Sequence, residues 1–181
     1  MRKLYVHLLV AVAIVIFLPA AGLAAGATGV PTWSSKVAKG RFVILTAFGG
    51  EAVLDKETGL VWQRTAGDTD DNGVTNDSDK LDWFNAHYYC NNVSVGGRKG
   101  WRLPSIQEQA TLIDQSASSP ALPAGHPFIG VRAGYWSAST DLADSSVAMD
   151  MNFIDGNVNF AGKVLLGMVW CVRGGTSPDL H

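Results

Sequence analysis

Apolar and polar residues alternate in one part of this chain, whereas apolar residues form uninterrupted runs in others. Both patterns predict strands. Residues 147–153 alternate between apolar and polar side chains, which predicts a strand with one buried face. Asp155-Gly156 predicts a hairpin turn into the next strand. The apolar runs at 42–45 and 167–172 predict buried strands, and 135–140 predicts another.

A helical spacing replaces this alternation in the middle of the chain. The first predicted helix carries apolar residues three and four positions apart: Trp83, Ala86, Cys90 and Val93. Ser105 and Glu108 then have the S-x-x-E spacing of a capping box, which predicts that a second helix begins at Ser105. Apolar residues at 106, 110 and 113 predict that this helix is about ten residues long.

The order of these elements predicts the fold class. Residues 53–55 and 60–64 flank a turn ending in Gly59, which predicts a hairpin before the first helix. A strand and a hairpin followed by two helices and then further strands are typical of an α+β domain. We expect a signal peptide at 1–25, a linker at 26–40, one domain at 41–175 and a tail at 176–181.

The N-terminal segment has the three parts of a secretory signal peptide. Arg2 and Lys3 precede an apolar stretch at 8–18, and Pro19 separates it from small residues at 20–25. The alternative is an uncleaved membrane anchor, since apolar character continues to about Val30. We expect contact with a membrane only if the leader is not cleaved. Cleavage predicts an exported protein in the periplasm, at the cell surface or outside the cell.

Composition and charge narrow the classes of partner. The 181 residues are 47% hydrophobic and 17% charged, which suits a single globular domain. The formal net charge is -2, and without Arg2 and Lys3 it is 12 basic minus 16 acidic residues, or -4. A protein of this sign is a poor candidate for binding nucleic acid. The remaining partners are a polysaccharide or another envelope protein.

Export also changes the meaning of the two cysteines. An even pair in an oxidising compartment is most simply a disulfide, so Cys90 and Cys171 are predicted to be bridged. Two buried free thiols are the alternative.

An acidic stretch before the first helix has the spacing of a calcium loop. Carboxylates, amides and one main-chain carbonyl would occupy positions 1, 3, 5, 7, 9 and 12, which are Asp68, Asp70, Asn72, Val74, Asn76 and Asp79. Gly73 at position 6 permits the sharp bend, whereas aspartate at position 12 replaces the usual bidentate glutamate. Ca²⁺ is therefore a candidate cofactor, and a solvated acidic turn is the alternative.

The sequence offers no catalytic constellation. It has no HExxH, P-loop, G-x-S-x-G or G-x-G-x-x-G motif, and His87 and His126 have no partner at metal-ligand spacing. We therefore expect a protein that is not an enzyme.

Several motifs, taken in order, resemble those of one family. They are Thr58-Gly59-Leu60-Val61-Trp62-Gln63, Trp83-x-x-Ala86-x-x-x-Cys90, Gly100-Trp101-Arg102-Leu103-Pro104-Ser105, Tyr135-Trp136-Ser137 and Cys171-Val172-Arg173. This set is similar to the Lcl C-terminal domain family, named after a bacterial collagen-like adhesin. The resemblance implies a C-type-lectin-like fold with two helices on short antiparallel sheets, and it favours one long-range disulfide.

The resemblance also implies a function, with two departures. The family's named member binds sulfated polysaccharide through this domain, so an exported adhesion or ligand-capture module of the cell envelope is expected. The Glu-Pro-Asn, Gln-Pro-Asp and Trp-Asn-Asp tripeptides of calcium-dependent lectins do not occur in this sequence, and neither does a collagen-like Gly-X-Y region. Formylglycine-generating enzymes have a similar Cys-Val-Arg ending, but their chemistry requires a reactive cysteine pair, and here both cysteines are at the bridge positions.

The remaining candidates for ligand binding are on predicted loops. Guanidinium groups bind sulfate and aromatic rings stack on sugars, which points to Arg98, Lys99, Arg132 and Tyr135. Ordinary surface charges and core aromatics are the alternative. A structural module that binds another envelope protein is the alternative function, followed by an unrecognised enzyme.

Overall fold

A computed structural model describes residues 40–175 of the chain. The predicted signal peptide, the linker up to residue 39 and the tail at 176–181 lie outside the described residues. Within the described part, no helix is both long and apolar enough to cross a bilayer.

The described residues form an α+β domain, as predicted. The strands are β1 (Phe42–Ile44), β2 (Ala52–Asp55), β3 (Val61–Gln63), β4 (Tyr135–Thr140), β5 (Val147–Asn152), β6 (Asn157–Gly162) and β7 (Val172–Arg173). The helices are α1 (Trp83–Asn92) and α2 (Ile106–Ala110), with short 3-10 turns at Thr46–Phe48 and Asp77–Asp79.

The strands form two antiparallel sheets. The first has the order β1-β2-β3-β7, and the hairpin between β2 and β3 is present as predicted, with Gly59 at φ +73°. The second has the order β4-β5-β6, and β5 and β6 are joined by a four-residue turn that ends in Gly156. Each sheet is thus built mainly from neighbours in the sequence.

One apolar segment between the sheets holds them in a common core. Met168 bonds to the edge of the second sheet, where its carbonyl accepts from the Trp136 amide and its amide donates to the Gly134 carbonyl, each at 3.0 Å. The Trp170 indole donates to the Gln63 carbonyl of the first sheet at 2.8 Å. Trp170 is fully buried and lies 4.9–5.6 Å, between ring centroids, from four other aromatic rings: Trp62, Phe128, Tyr135 and Phe153. These aromatic contacts add to the area that the rings bury.

Three predicted elements differ from those observed. The strand predicted at 167–172 is reduced to β7, because Met168 to Cys171 pass between two sheets and bond to each in turn. Strand β1 is an edge strand, with Val43 38% and Ile44 39% exposed, not a buried one. Helix α2 has five residues in place of ten.

The predicted disulfide is confirmed. Cys90 in α1 is bonded to Cys171, which is 81 positions away in sequence, and their Cα atoms are 5.4 Å apart. Both residues are fully buried. The bridge fixes the first helix to the segment that connects the two sheets.

The predicted capping box is also present. The Ser105 hydroxyl accepts from the Glu108 amide at 3.2 Å, and the Glu108 carboxylate accepts from the Ser105 amide at 2.9 Å. Arg102 donates two hydrogen bonds to the same carboxylate, at 2.6 and 2.7 Å. These hydrogen bonds hold the turn between residues 100–105 and α2 in one conformation.

Candidate functional site

The acidic loop lies between β3 and α1 and brings three carboxylates together. Asp68, Asp70 and Asp79 each place an oxygen within 4.8 Å of the others. They are positions 1, 3 and 12 of the predicted calcium loop, so the two ends of the loop lie in one cluster. Asp79 is in the 3-10 turn before α1, which begins at Trp83 with Asp82 as its N-cap.

The other predicted ligands hold the shape of this loop. Asn72 donates to Asp70 at 2.8 Å and accepts from the Val74 amide, and its own amide bonds to Asp68 at 3.1 Å. Asn76 caps the 3-10 turn through Ser78 and donates to the Val74 carbonyl at 3.2 Å. Asn72 is therefore part of the carboxylate cluster, whereas Asn76 and Val74 bond to each other beside it.

Asp79 is fully buried and tied to the main chain. Burial opposes its ionisation, but the amides of Asn76, Thr69 and Asp70 outweigh burial, so the pKa of Asp79 lies below its ordinary value. Its two oxygens accept from Thr69 and Asn76, each at 2.8 Å. Asp79 is thus a carboxylate that closes the loop in its charged form.

A polar cavity adjoins the acidic loop. Its volume is about 170 Å³, and it is lined by acidic, polar and apolar side chains that include Glu51, Gln63, Asp68, Asp71 and Tyr89. The Tyr89 hydroxyl donates to the Asp68 carbonyl at 3.1 Å, so α1 is bonded directly to the loop. The cavity places hydrogen-bond acceptors beside the carboxylate cluster.

A basic patch lies on the turn before the 100–105 motif. The guanidinium groups of Arg98 and Arg173 both lie over the Phe48 ring, at 5.0 and 5.7 Å from its centroid. Lys99 is exposed and follows Arg98 directly. Within residues 40–175, none of these three cations is in an ion pair. We call Phe48, Arg98, Lys99 and Arg173 the basic patch.

The turn that carries the patch is held firmly. Val95 and Arg98 exchange two main-chain hydrogen bonds of 3.1 Å, and the Trp101 indole donates to the Arg98 carbonyl at 2.8 Å. Gly96 has φ +56° and packs directly on the Phe48 backbone, where a Cβ atom has no room. The main chain at Arg98 is therefore held in position by its neighbours in the fold.

Arg173 forms no salt bridge among the described residues, although it is in a family-like motif, as Arg102 is. Its guanidinium stacks on Phe48, because β7 ends beside the turn of Arg98. Arg102 does pair internally, with Glu108. Sequence reasoning missed Phe48 and Arg173 as members of the patch, because they are 50 and 75 positions from Arg98.

The other two predicted ligand-binding residues are placed differently. Arg132 donates to the Thr75 carbonyl at 2.9 Å and lies 3.8 Å from the Asp77 carboxylate, so it braces the acidic loop. Tyr135 is fully buried, and its hydroxyl accepts from the Arg132 amide at 3.0 Å. Burial raises the pKa of Tyr135, and a ring with no exposed face cannot stack on a sugar. Tyr135 is therefore withdrawn as a candidate ligand-binding residue.

The two histidines of the described residues are both packed against rings. His87 lies 4.1 Å from Trp83 and His126 lies 5.9 Å from Phe128, between centroids. Burial lowers the pKa of both, with Lys163 adding to the effect at His87. The neutral imidazoles are part of the packing around these aromatic rings.

Comparison with known proteins places this arrangement in a family. A sequence model of the Lcl C-terminal domain matches residues 51–173, which include the disulfide, both helices and most strands of the two sheets. The chain belongs to the Lcl C-terminal domain family. No curated protein matches the sequence.

Membership of the Lcl C-terminal domain family indicates a bacterial extracellular adhesin-like module. The disulfide is compatible with an exported protein, since such bonds persist in oxidising compartments. The basic patch includes Arg173, the last residue of the family match.

Proposed function

We propose that this chain is an exported, non-enzymatic binding module of the bacterial cell envelope that captures anionic polysaccharide through the basic patch. The observation that carries the proposal is the pair of guanidinium groups over Phe48, with Lys99 exposed beside Arg98 in the same turn, in a protein of negative net charge. None of these three cations is in an ion pair among the described residues. Arg41, by contrast, is in an ion pair with Asp55 and its side chain is only 8% exposed.

The chemistry of the patch suits a sulfated or carboxylated sugar chain. Guanidinium groups offer planar pairs of donors that match sulfate and carboxylate oxygens, and the Lys99 ammonium adds a mobile charge. Because Arg98 and Arg173 already rest on the Phe48 ring, part of the cost of ordering their side chains is met before binding. A negatively charged protein needs such a local patch to attract an anion.

Binding to dextran sulfate, with uncharged dextran as the control ligand, tests the proposal. We expect the protein to bind only the sulfated polymer, and the affinity should fall steeply as salt rises, because exposed charge pairs are screened. Arg98→Gln and Lys99→Gln should each weaken binding by roughly three- to fivefold, the range of a single exposed ion pair.

A matched variant separates the patch from bulk charge. Lys56 is exposed in the turn between β2 and β3, and Lys56→Gln removes the same charge outside the patch. Its affinity for dextran sulfate should equal that of the unmodified protein. Equal losses for Lys56→Gln and Arg98→Gln, or tight binding of uncharged dextran, would refute the assignment to the basic patch.

We further propose that the acidic loop binds Ca²⁺. A divalent cation would balance the negative charge of three carboxylates whose oxygens lie within 4.8 Å of one another. Asp68, Asp70 and Asp79 would supply hard oxygen ligands, and Asn72 lies within the same cluster. The bound ion would rigidify the loop that borders the polar cavity.

Calorimetric titration of chelator-treated protein should show one Ca²⁺ per chain, and the melting temperature should rise with added Ca²⁺. Asp70→Asn should abolish both effects with little change in the stability of the metal-free protein, because Asp70 is exposed. Asp141→Asn, a similar change in a different loop, is the control. No heat and no thermal shift at about 10 mM Ca²⁺ would leave the loop a polar turn.

A further inference from the structure

The free edge of the second sheet is strand β6. The sheet order is β4-β5-β6, so only one side of β6 is paired, while the far side of β4 is bonded to Met168. All four residues from Asn157 to Phe160 are exposed. An uncovered edge strand presents unpaired main-chain donors and acceptors.

The register identifies which groups point outward. The Lys163 amide bonds to the Ser146 carbonyl, and alternate residues along β6 therefore bond to β5. Val158 and Phe160 are between those positions, so their N–H and C=O groups face away from the sheet. No described residue bonds to these four groups.

The side chains of the same two residues are apolar and uncovered. Val158 is 43% and Phe160 57% exposed, on the sheet face that carries the buried Met151. The other residues of β6 are Asn157, Asn159, Ala161 and Gly162, so the strand contains no charged residue and no proline. Natural edge strands usually carry charged side chains or proline, which oppose pairing with another strand, and β6 carries neither.

We propose that β6 pairs antiparallel with β6 of a second copy of this chain, with Val158 opposite Phe160 of the other copy. In this register the two-fold axis passes beside Asn159, and the four free main-chain groups of each strand all find partners. Each Phe160 faces a β-branched residue, a favourable cross-strand pair, and no like charges oppose each other. The β4-β5-β6 sheets of the two copies then form one continuous six-stranded sheet.

A second copy fits this edge because the strand is complementary to itself. Any other extended chain would need its own apolar pair at the same spacing, whereas a second copy supplies it by symmetry. The paired area is smaller than the roughly 800 Å² per partner of a standard interface, so we expect association at micromolar concentrations.

Sedimentation velocity on the full-length chain, expressed with its own N-terminal segment, measures the association. The weight-average mass should rise toward twice the monomer mass between about 1 and 500 μM, the range expected for a small interface. Phe160→Lys places two charges across the axis and should weaken the dimer at least tenfold. Leu142→Lys adds the same charge at a fully exposed turn residue and should leave the dimer unchanged.

Cysteine cross-linking then tests the register. Antiparallel residues that are not hydrogen-bonded to each other have Cα atoms about 4.5 Å apart, within the range that a disulfide can bridge. Asn159→Cys should therefore cross-link to itself on mild oxidation, and Ala161→Cys should not. A monomer at every concentration, a dimer that tolerates Phe160→Lys, or cross-linking that favours Ala161→Cys would each overturn the proposal.

Discussion

Removing the hydroxyl of Ser105 is the sharpest test of how the domain is organised locally. In Ser105→Ala the Glu108 amide, at the start of α2, loses its acceptor at 3.2 Å. The reverse bond, from the Ser105 amide to the Glu108 carboxylate, stays because Arg102 holds that carboxylate with two hydrogen bonds. The next amide, of Ile106, keeps its own acceptor in Ser139. The variant therefore removes one hydrogen bond.

The expected cost follows from that single loss. Replacing a serine N-cap by alanine typically costs about 1 kcal/mol, and the hydroxyl-to-amide distance is at the long end of the usual range, so we expect about 0.5–1 kcal/mol. Because the side chain is small and partly exposed, no cavity term is added. For a domain of this size the melting temperature should fall by about 2–4 °C.

Urea unfolding of the oxidised protein gives the free energy of unfolding directly. Ser105→Thr keeps an acceptor oxygen on the same carbon and is the matched control, which should lose less than half as much. A loss below about 0.3 kcal/mol in Ser105→Ala would show that the cap is not formed, since such a value is within ordinary surface effects. An equal loss in both variants would assign the effect to packing.

Three further predictions concern stability. Reducing the Cys90–Cys171 bond, which closes a long loop, should cost roughly 4 kcal/mol, measured by urea unfolding with and without reductant; equal midpoints would contradict it. Gly96→Ala should lower the free energy of unfolding by more than about 2 kcal/mol, because the added Cβ meets main-chain atoms of Phe48. Gly97→Ala, where φ is positive but the space is open, should cost only about 1 kcal/mol. Thermal melts compare the two variants, and equal losses would count against this packing. At Glu108 burial opposes ionisation, but hydrogen bonds from Arg102 and Ser105 outweigh burial and lower the pKa of the carboxyl. The ionised Glu108 therefore stabilises the folded protein above the ordinary pKa of 4.5, and this stabilisation is lost as the pH falls through the lower pKa of the folded state. The difference in stability between the protein and Glu108→Gln should therefore shrink below about pH 4.5, and a constant difference would contradict it.

Local features of the fold were predictable because they depend on short sequence spacings. The capping box follows from Ser105 and Glu108, three positions apart, and the β2–β3 hairpin follows from residues 53–64 alone. The disulfide required only that the chain be exported and hold two cysteines. None of these depended on where distant segments meet.

The length of α2 was not predictable from apolar spacing. The residues that face the core are Ile106, Gln109 and Leu112, at i, i+3 and i+6, whereas Ala110 is exposed. Gln109 is buried because its side-chain amide donates to the Trp136 carbonyl at 3.0 Å. A polar residue in the core is invisible to a pattern that counts only apolar positions.

The candidate site was only half predictable for a related reason. Arg98 and Lys99 stood out as basic residues in a turn, but Phe48 and Arg173 join them through the tertiary fold. Tyr135 stood out as an aromatic residue at the start of a strand, yet its ring is in the core. Sequence shows which side chains can bind a sugar, whereas the fold decides which of them reach the surface.

The Cys90–Cys171 bond also sets how the domain responds to a mechanical load. The stretch from Cys90 to Cys171, which are 81 positions apart, would release roughly 280 Å of chain if it were fully extended. A force applied at the two ends of the chain passes through the sulfur atoms and bypasses that stretch, which contains α2, β4, β5 and β6. Under tension the domain can therefore lengthen only through the segments outside the bridge, and the turn that carries Arg98 stays within the protected loop.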